Sequence, residues 1–484
     1  MIPTSPSIAP SATPTVSDTS KRLLPWLVAV AFFMESLDTT ILNTAVPVVS
    51  AALHVTSLSM KAVLASYTLS LAVFIPISGW MADRFGTRRV FASAIGLFTI
   101  GSLLCGLCTN IHLLVLCRIL QGCGGAMMVP VGRLTLVRTF AKSELLRAMS
   151  FVSIPALVAP MLGPVTGGLI VGYLHWRYIF FLNIPIGIAG LILVYIHLPD
   201  FRENTHPLDI VGLILFGSGI ALLSYVLEIF GEHTLSAREI SGLLALSLML
   251  LLGYWLHARM LQFPLLQLRL FSIRTFRSAV SGSFFTRLGI GGVPFLLPLL
   301  YQVGLGYSPV QSGLLIMPQA IASMSMKLVM PTILRVMGYR AVLISNTLVI
   351  GVLLTLFATI GAHTSIWVIV LLALLYGAFT SLQYTSMNTL TYADISEENA
   401  SSASSIASTV QQLSISFGVA IAGLTTALFV PKSAGLHAEA MITGVHRAFL
   451  FLGALTVFST LTFRILKTGD GGGVSQQRSI HPGG

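Results

Sequence analysis

Long apolar runs recur along the chain, each bounded by a short polar or basic connection. At 1.5 Å of helical rise per residue, a run of about 20 mostly apolar residues crosses the hydrocarbon core of a bilayer. Fourteen runs qualify: 24–46, 62–82, 90–109, 111–131, 148–173, 178–198, 210–230, 239–257, 278–303, 310–331, 339–361, 366–390, 403–429 and 446–466. They are continuous rather than alternating, which excludes a β-barrel. The pattern predicts an all-α polytopic membrane protein with 14 transmembrane helices.

The runs repeat. Phe32-Phe33-Met34-Glu35 is echoed by Phe284-Phe285-Thr286-Arg287, 252 residues later. Gly86, followed two residues on by Arg88, is echoed at the same spacing of 252 by Gly338 and Arg340. Thr135-Leu136 and Thr389-Leu390 agree with an offset of 254. Spans one to six and nine to fourteen therefore read as two copies of one six-helix unit, with spans seven and eight inserted between them. The expected organisation is a disordered Ser/Thr/Pro-rich tail (1–22), a first six-helix half (23–200) and two inserted helices with their loops (201–274). A second half (275–467) and a polar tail (468–484) follow. A binding site is expected at mid-depth where the halves meet.

Composition agrees: 55% of residues are hydrophobic and 9% charged, with a mean hydropathy of +0.88. Soluble domains carry about 25% charged residues. The net charge of +11 invites a nucleic-acid reading, but its distribution argues otherwise. With the N-terminus inside, the outer loops hold only Lys61, Arg177, Arg238, Lys432 and Arg447 of the 27 basic residues. Arg118, Arg287 and Lys327 fall within spans, and the remainder lie on the inner side. This positive-inside bias predicts two cytoplasmic termini. The cysteines, Cys105, Cys108, Cys117 and Cys123, all sit in spans without a completing histidine, so no metal site is expected.

Charges at bilayer depth are expensive and point to function. Glu35 and Asp38 lie three residues apart on one face of the first span. A carboxylate there can lose its charge by taking up a proton, which suits it to carry protons or cations; the alternative is a structural ion pair with Arg118 or Arg287. Arginine keeps its proton, so Arg118 and Arg287 serve better as counter-charges or gating elements. Lys327, near a span end, is expected to snorkel. Polar or soft side chains within spans give weaker cavity candidates: Asn43, Gln121, Met127, Arg287, Gln302, Gln383 and Asn388. Gly163, Pro164, Gly167 and Gly168 interrupt the fifth span and predict a bend packed closely against a neighbouring helix.

Five stretches name a family. Gly79-Trp-Met-Ala-Asp83-Arg84-Phe-Gly86-Thr-Arg88-Arg89 resembles the loop 2–3 signature of the major facilitator superfamily. Leu116 to Ala126, with Arg118, resembles its span-four signature, and Gly163-Pro164-Val-Thr-Gly167-Gly168 its span-five antiporter signature. Leu37 to Pro47, around Asp38, and Trp176 to Pro185 resemble motifs of its fourteen-spanner drug:proton antiporter branch. Arg287 to Phe295 and Ser386 to Thr391 look most like a group of bacterial inner-membrane multidrug transporters.

The resemblance implies the superfamily fold and a proton-coupled antiporter that exports small amphipathic organic compounds across a bacterial inner membrane. An exporter dedicated to one metabolite class is the nearest alternative, and a non-transporting sensor a distant one. It further implies proton coupling through Asp38 and Arg118, and conformational roles for Gly79, Asp83, Arg84, Gly86, Arg88 and the span-five motif; Glu35 departs from the branch motif and is expected from its depth to be a second coupling acid. Asp83 would brace a helix end against arginines. No enzyme activity and no cofactor are expected; the proton motive force drives the cycle. The expected partners are a small-molecule substrate, protons and lipid, without nucleic acid. The chain is expected to be a monomer, with an accessory periplasmic adaptor left open.

Overall fold

The computed structural model describes residues 18–140, 142–203, 206–229, 236–396, 399–430, 438–467 and 469–471. Residues 1–17 of the tail expected at 1–22 and residues 468 and 472–484 of the tail expected at 468–484 lie outside these, whereas 18–22 begin the first helix. The described residues form helices joined by short connections. The first half comprises α1 (Asp18–Ala52), α2 (Lys61–Phe85), α3 (Thr87–Leu107), α4 (Ile111–Thr139), α5 (Lys142–Tyr173) and α6 (Tyr178–His197). Two inserted helices follow, α7 (Ile210–Ile229) and α8 (Ala237–Met260). The second half begins with α9 (Arg274–Gly304), which ends in a π-helical turn at Leu299–Gly304.

The helical run Pro309–Phe357 is folded in two at Gly338, giving α10 (309–337) and α11 (339–357). Then come α12 (Ile366–Thr391), α13 (Ala400–Phe429) and α14 (Ala438–Phe463). The fourteen spans read from hydropathy are thus all present as helices. Gly338 (φ 74°) ends α10 as Gly86 (φ 98°) separates α2 from α3. Both positions need positive φ, which a side chain resists. The repeat therefore shows in backbone conformation as well as in sequence.

Polar caps start the spans where apolar runs begin. Asn110 accepts from the Leu113 N–H at 2.9 Å, and Ser236–Glu239 and Ser308–Gln311 form reciprocal capping boxes. Exposed Leu, Ile, Val and Trp side chains, among them Leu116, Ile192, Leu252, Val352 and Trp367, coat the outside as a lipid-facing surface requires.

The halves join along two seams, α5 with α10 and α2 with α13. Small residues make these approaches close. A Cβ at Gly168 would lie 2.5 Å from the Pro309 oxygen, and one at Gly313 would lie 2.4 Å from the Pro164 oxygen. On its other face α5 meets α1: a Cβ at Gly163 would lie 2.1 Å from Thr40 Oγ1, and one at Gly167 would lie 2.4 Å from the Ile41 oxygen. The bend expected in span five is not a break, because α5 runs uninterrupted from Lys142 to Tyr173. Its glycines instead let one helix touch both halves. The inserted α7 packs against both α2 and α13, alongside the second seam, and α8 packs on α7 facing outward. Lys61, expected in an outer loop, is buried at the first position of α2 beside Gly423 of α13.

Candidate functional site

A cavity of about 1390 Å³ lies between the halves. Its rim carries Trp80 and Asp83 from the end of α2, His206–Asp209, Phe263–Gln267, Tyr392 and Ser401. All belong to the side of the molecule where α1 begins and α14 ends, its terminal side. Among the described residues, no connection on the opposite side contributes to the lining. There an apolar plug built from both halves, including Val46, Met60, Leu297, Tyr301 and Val419, closes the path. Gln302 Nε2 donates to the Thr44 oxygen at 2.7 Å across the same closure. The structure is open to the terminal side and shut to the other.

Asp38 sits behind the cavity wall rather than on it. Arg118 Nη1 donates to its Oδ2 at 2.5 Å. Gln121 Nε2 and Asn183 Nδ2 both donate to Oδ1, at 2.8 and 2.9 Å. The Asp38 and Arg118 side chains are 0% and 1% exposed, so water takes no part in neutralising them. Each carboxylate oxygen only accepts, which is the bonding of an ionised acid. Arg118 also donates to Gln121 Oε1 at 2.8 Å and lies 4.1 Å above the Tyr67 ring. Asn183 is fixed in turn by Ser102, which donates to the Phe180 oxygen. Four helices, α1, α3, α4 and α6, thus converge on one carboxylate.

Glu35, one turn nearer the terminal side, behaves differently. It borders the cavity, and no ion pair or hydrogen bond holds its carboxylate among the described residues. Arg133 of α4 is also on the lining. The two acids of span one therefore divide: one dry and clamped, the other facing the cavity.

Of the cavity candidates read from sequence, Asn43, Arg287 and Asn388 line it. Four do not. Gln121 is committed to Asp38, and Met127 packs against the first-half core. Gln302 belongs to the closed side. Gln383 is fully buried between Asn346 and Thr347. Each is polar or soft, yet its helix turns it away from the space. Sequence reading missed the polar stripe of α13, where Ser401, Ser404, Ser408 and Gln411 recur at helical spacing along the lining. It also missed Asn183, although that residue lies in a motif already singled out.

At the end of α2, Asp83 is paired with an arginine. Arg138 Nη2 reaches Asp83 Oδ1 at 2.8 Å and Glu203 Oε1 at 2.7 Å. The α6–α7 connection folds over the α2–α3 turn. Asp200 accepts from the Arg88 N–H at 3.2 Å, and Arg88 Nε donates to the Leu198 oxygen. A Cβ at Gly86 would fall 2.2 Å from Asp200. Arg84 is exposed and forms no ion pair among the described residues, and Gly79 faces open cavity. No cluster of three metal-ligating side chains occurs among the described residues.

The insert closes one side of the rim. Asp209 accepts from the Gly212 and Leu265 N–H groups and from His257 Nε2 at 2.8 Å. His206 stacks on Phe263 at 3.7 Å, and Trp80 Nε1 donates to the His206 oxygen. Burial works to raise the Asp209 carboxyl, but the His257 hydrogen bond and the two N–H groups together hold it below its ordinary value.

Comparison with known proteins gives a consistent picture. The family model described as Major Facilitator Superfamily matches residues 28–419 and 282–478. A relative from Serratia proteamaculans, named "Putative multidrug resistance protein MdtD", is 41% identical over 426 residues, 88% of each chain. The protein of the same name from Escherichia coli K12/DH10B is 43% identical over 410 residues, 85% of this chain and 87% of the relative. Among solved structures, the POT family transporter PepTSo superposes with a TM-score of 0.69 at 13% identity, covering 95% of this chain and 99% of that one. A bacterial homologue of the human lysosomal transporter Spinster, inward-facing and unoccupied, gives 0.63 at 15% identity, covering 93% and 98%. At such identities the likeness concerns fold alone.

Proposed function

The chain belongs to the Major Facilitator Superfamily, and on that premise we propose that it exports small amphipathic organic compounds from the cytoplasm in exchange for protons. The membrane would be a bacterial inner membrane, with both termini cytoplasmic. The observation that carries this reading is the Asp38 cluster, a buried ion pair whose arginine borders a cavity open to one side only.

In the proposed cycle the structure is the cargo-loading state. Asp38 is ionised and held by Arg118, Gln121 and Asn183. Substrate enters from the terminal side and fills the space bordered by Glu35, Asn43, Arg287 and Asn388. The halves then rock about the α5–α10 and α2–α13 seams, opening the far side and closing the near one. Protons arriving from the far side neutralise Glu35 and then Asp38. A protonated Asp38 no longer supplies Arg118 with a counter-charge, so the clamp loosens and the return step is favoured. The membrane potential contributes about 2.3 kcal/mol per charge per 100 mV. Glu35 is the acid that meets the aqueous cavity and Asp38 the one that senses conformation.

Export by a broad-specificity pump differs from export of one metabolite in a growth assay. Cells carrying the gene on an inducible plasmid are compared with cells lacking it across a panel of toxic amphipathic compounds. Protection against several unrelated structures supports the proposal. Protection against none, or against a single metabolite class, overturns the multidrug reading.

A further inference from the structure

Two positions related by the internal repeat carry opposite charges. Glu35 on α1 and Arg287 on α9 both border the main cavity. A second cavity of about 390 Å³ opens beside Arg287, lined by residues of α1, α5, α9, α10, α12 and α13. That size suits a small organic ligand. Among the described residues, Arg287 and Lys327 are its charged lining residues, and no acid lines it. Neither cation forms an ion pair with a carboxylate among the described residues.

Arg287 is also rigidly presented. Its side chain is 3% exposed, its Nε donates to Ser283 Oγ at 2.9 Å, and its guanidinium lies 3.8 Å above the Tyr384 ring. A permanently charged guanidinium at bilayer depth requires a counter-charge or strong polar contacts. Arg118 has that counter-charge in Asp38, and Arg287 has none. Amides of Asn43, Gln319 and Asn388 share the chamber with apolar Leu297, Ile316 and Met324.

We propose that this chamber is an anion subsite. A carboxylate or sulfonate on a small amphipathic compound docks on Arg287, Lys327 adds attraction, and the apolar body rests on Leu297, Ile316 and Met324. The inference rests on the transporter reading and narrows its substrate class.

The test is equilibrium binding to the purified full chain in non-ionic detergent. Isothermal calorimetry is run with naphthoate, naphthalenesulfonate, naphthamide and naphthylmethylammonium. The two anions should bind about tenfold more tightly than the neutral amide, and the cation most weakly, since a hydrogen bond to a charged group is worth about that factor. Arg287→Gln should erase the preference, and Arg287→Lys should keep part of it. Lys327→Gln should lower anion affinity by a smaller factor. The charge series on the unaltered chain carries the test even where an Arg287 variant fails to fold. Equal affinities, tighter binding of the cation, or no binding by any of the four overturns the subsite. Because no gradient is imposed, the result is separable from coupling. Gradient-driven export without anion preference removes the subsite and keeps the transporter; anion preference without such export does the reverse.

Discussion

Arg118 on α4 and Asp38 on α1 meet at 2.5 Å with both side chains sealed from water, and this contact ties together the first half of the molecule. Breaking such a pair by removing one partner strands a buried charge. Arg118→Ala is expected to destabilise the protein by about 3–5 kcal/mol. Asp38→Asn combined with Arg118→Gln should recover most of that loss, because neither charge is then left alone. Thermal unfolding of the purified variants checks the order. A double variant as unstable as Arg118→Ala would mean that the pair does not act as a unit.

The glycines of α5 give a prediction about motion. Gly163 and Gly167 touch α1, whereas Gly168 touches α10 of the other half. Gly168→Val should abolish export while leaving membrane insertion intact, because it wedges the seam on which the halves rock. Gly163→Val should instead lower the amount of folded protein, since Thr40 and Ile41 sit in the same half. Export measured against membrane-inserted protein separates the two effects.

Gly86 and Gly338 are equivalent turns with different surroundings. Both hold positive φ, which costs a side chain roughly 1–2 kcal/mol. A Cβ at Gly338 meets nothing within 4 Å, whereas at Gly86 it would strike Asp200. Gly338→Ala should therefore cost only the backbone term, and Gly86→Ala clearly more. Unfolding temperatures of the two variants test this directly.

Much of the architecture was legible in the chain, and the limits have a physical cause. Hydropathy marks spans because lipid demands about 20 apolar residues, so all fourteen could be placed. The Gly86–Gly338 echo could be read because only glycine serves those turns. Helix rotation was not legible. Gln383 and Met127 lie in spans that are apolar on several faces, so no polar stripe fixes which side meets the cavity. The Ser and Gln stripe of α13 was regular enough to have been found by helical spacing. Asp200 and Glu203 could not have been found this way, because their importance depends on a connection folding back over the α2–α3 turn. Lys327 was read as snorkelling to a span end, yet it lines a chamber.

The rim contact of the insert should depend on pH. Asp209 titrates below its ordinary value in the folded protein, so its contribution is complete above an unfolded pKa of about 3.9 and fades as pH falls through the lower folded value. Hydrogen exchange at the Gly212 and Leu265 amides, taken relative to the intrinsic rate, should be slow at neutral pH and accelerate as pH falls through that folded value. Asp209→Ala should make it fast at all pH values. Protection unchanged in Asp209→Ala at neutral pH would mean that the carboxylate does not hold this strap.

The central claim is that the buried acids of α1 couple protons to export through the cavity between the halves. Proteoliposomes containing the full chain, with an imposed pH gradient and a pH-sensitive dye inside, measure proton flux on addition of each compound of an amphipathic panel. Compounds that are substrates should trigger proton movement in the unaltered protein. Asp38→Asn should abolish that flux while the variant remains folded, and Glu35→Gln should slow it. Gradient-driven transport that is unchanged in Asp38→Asn would contradict the account.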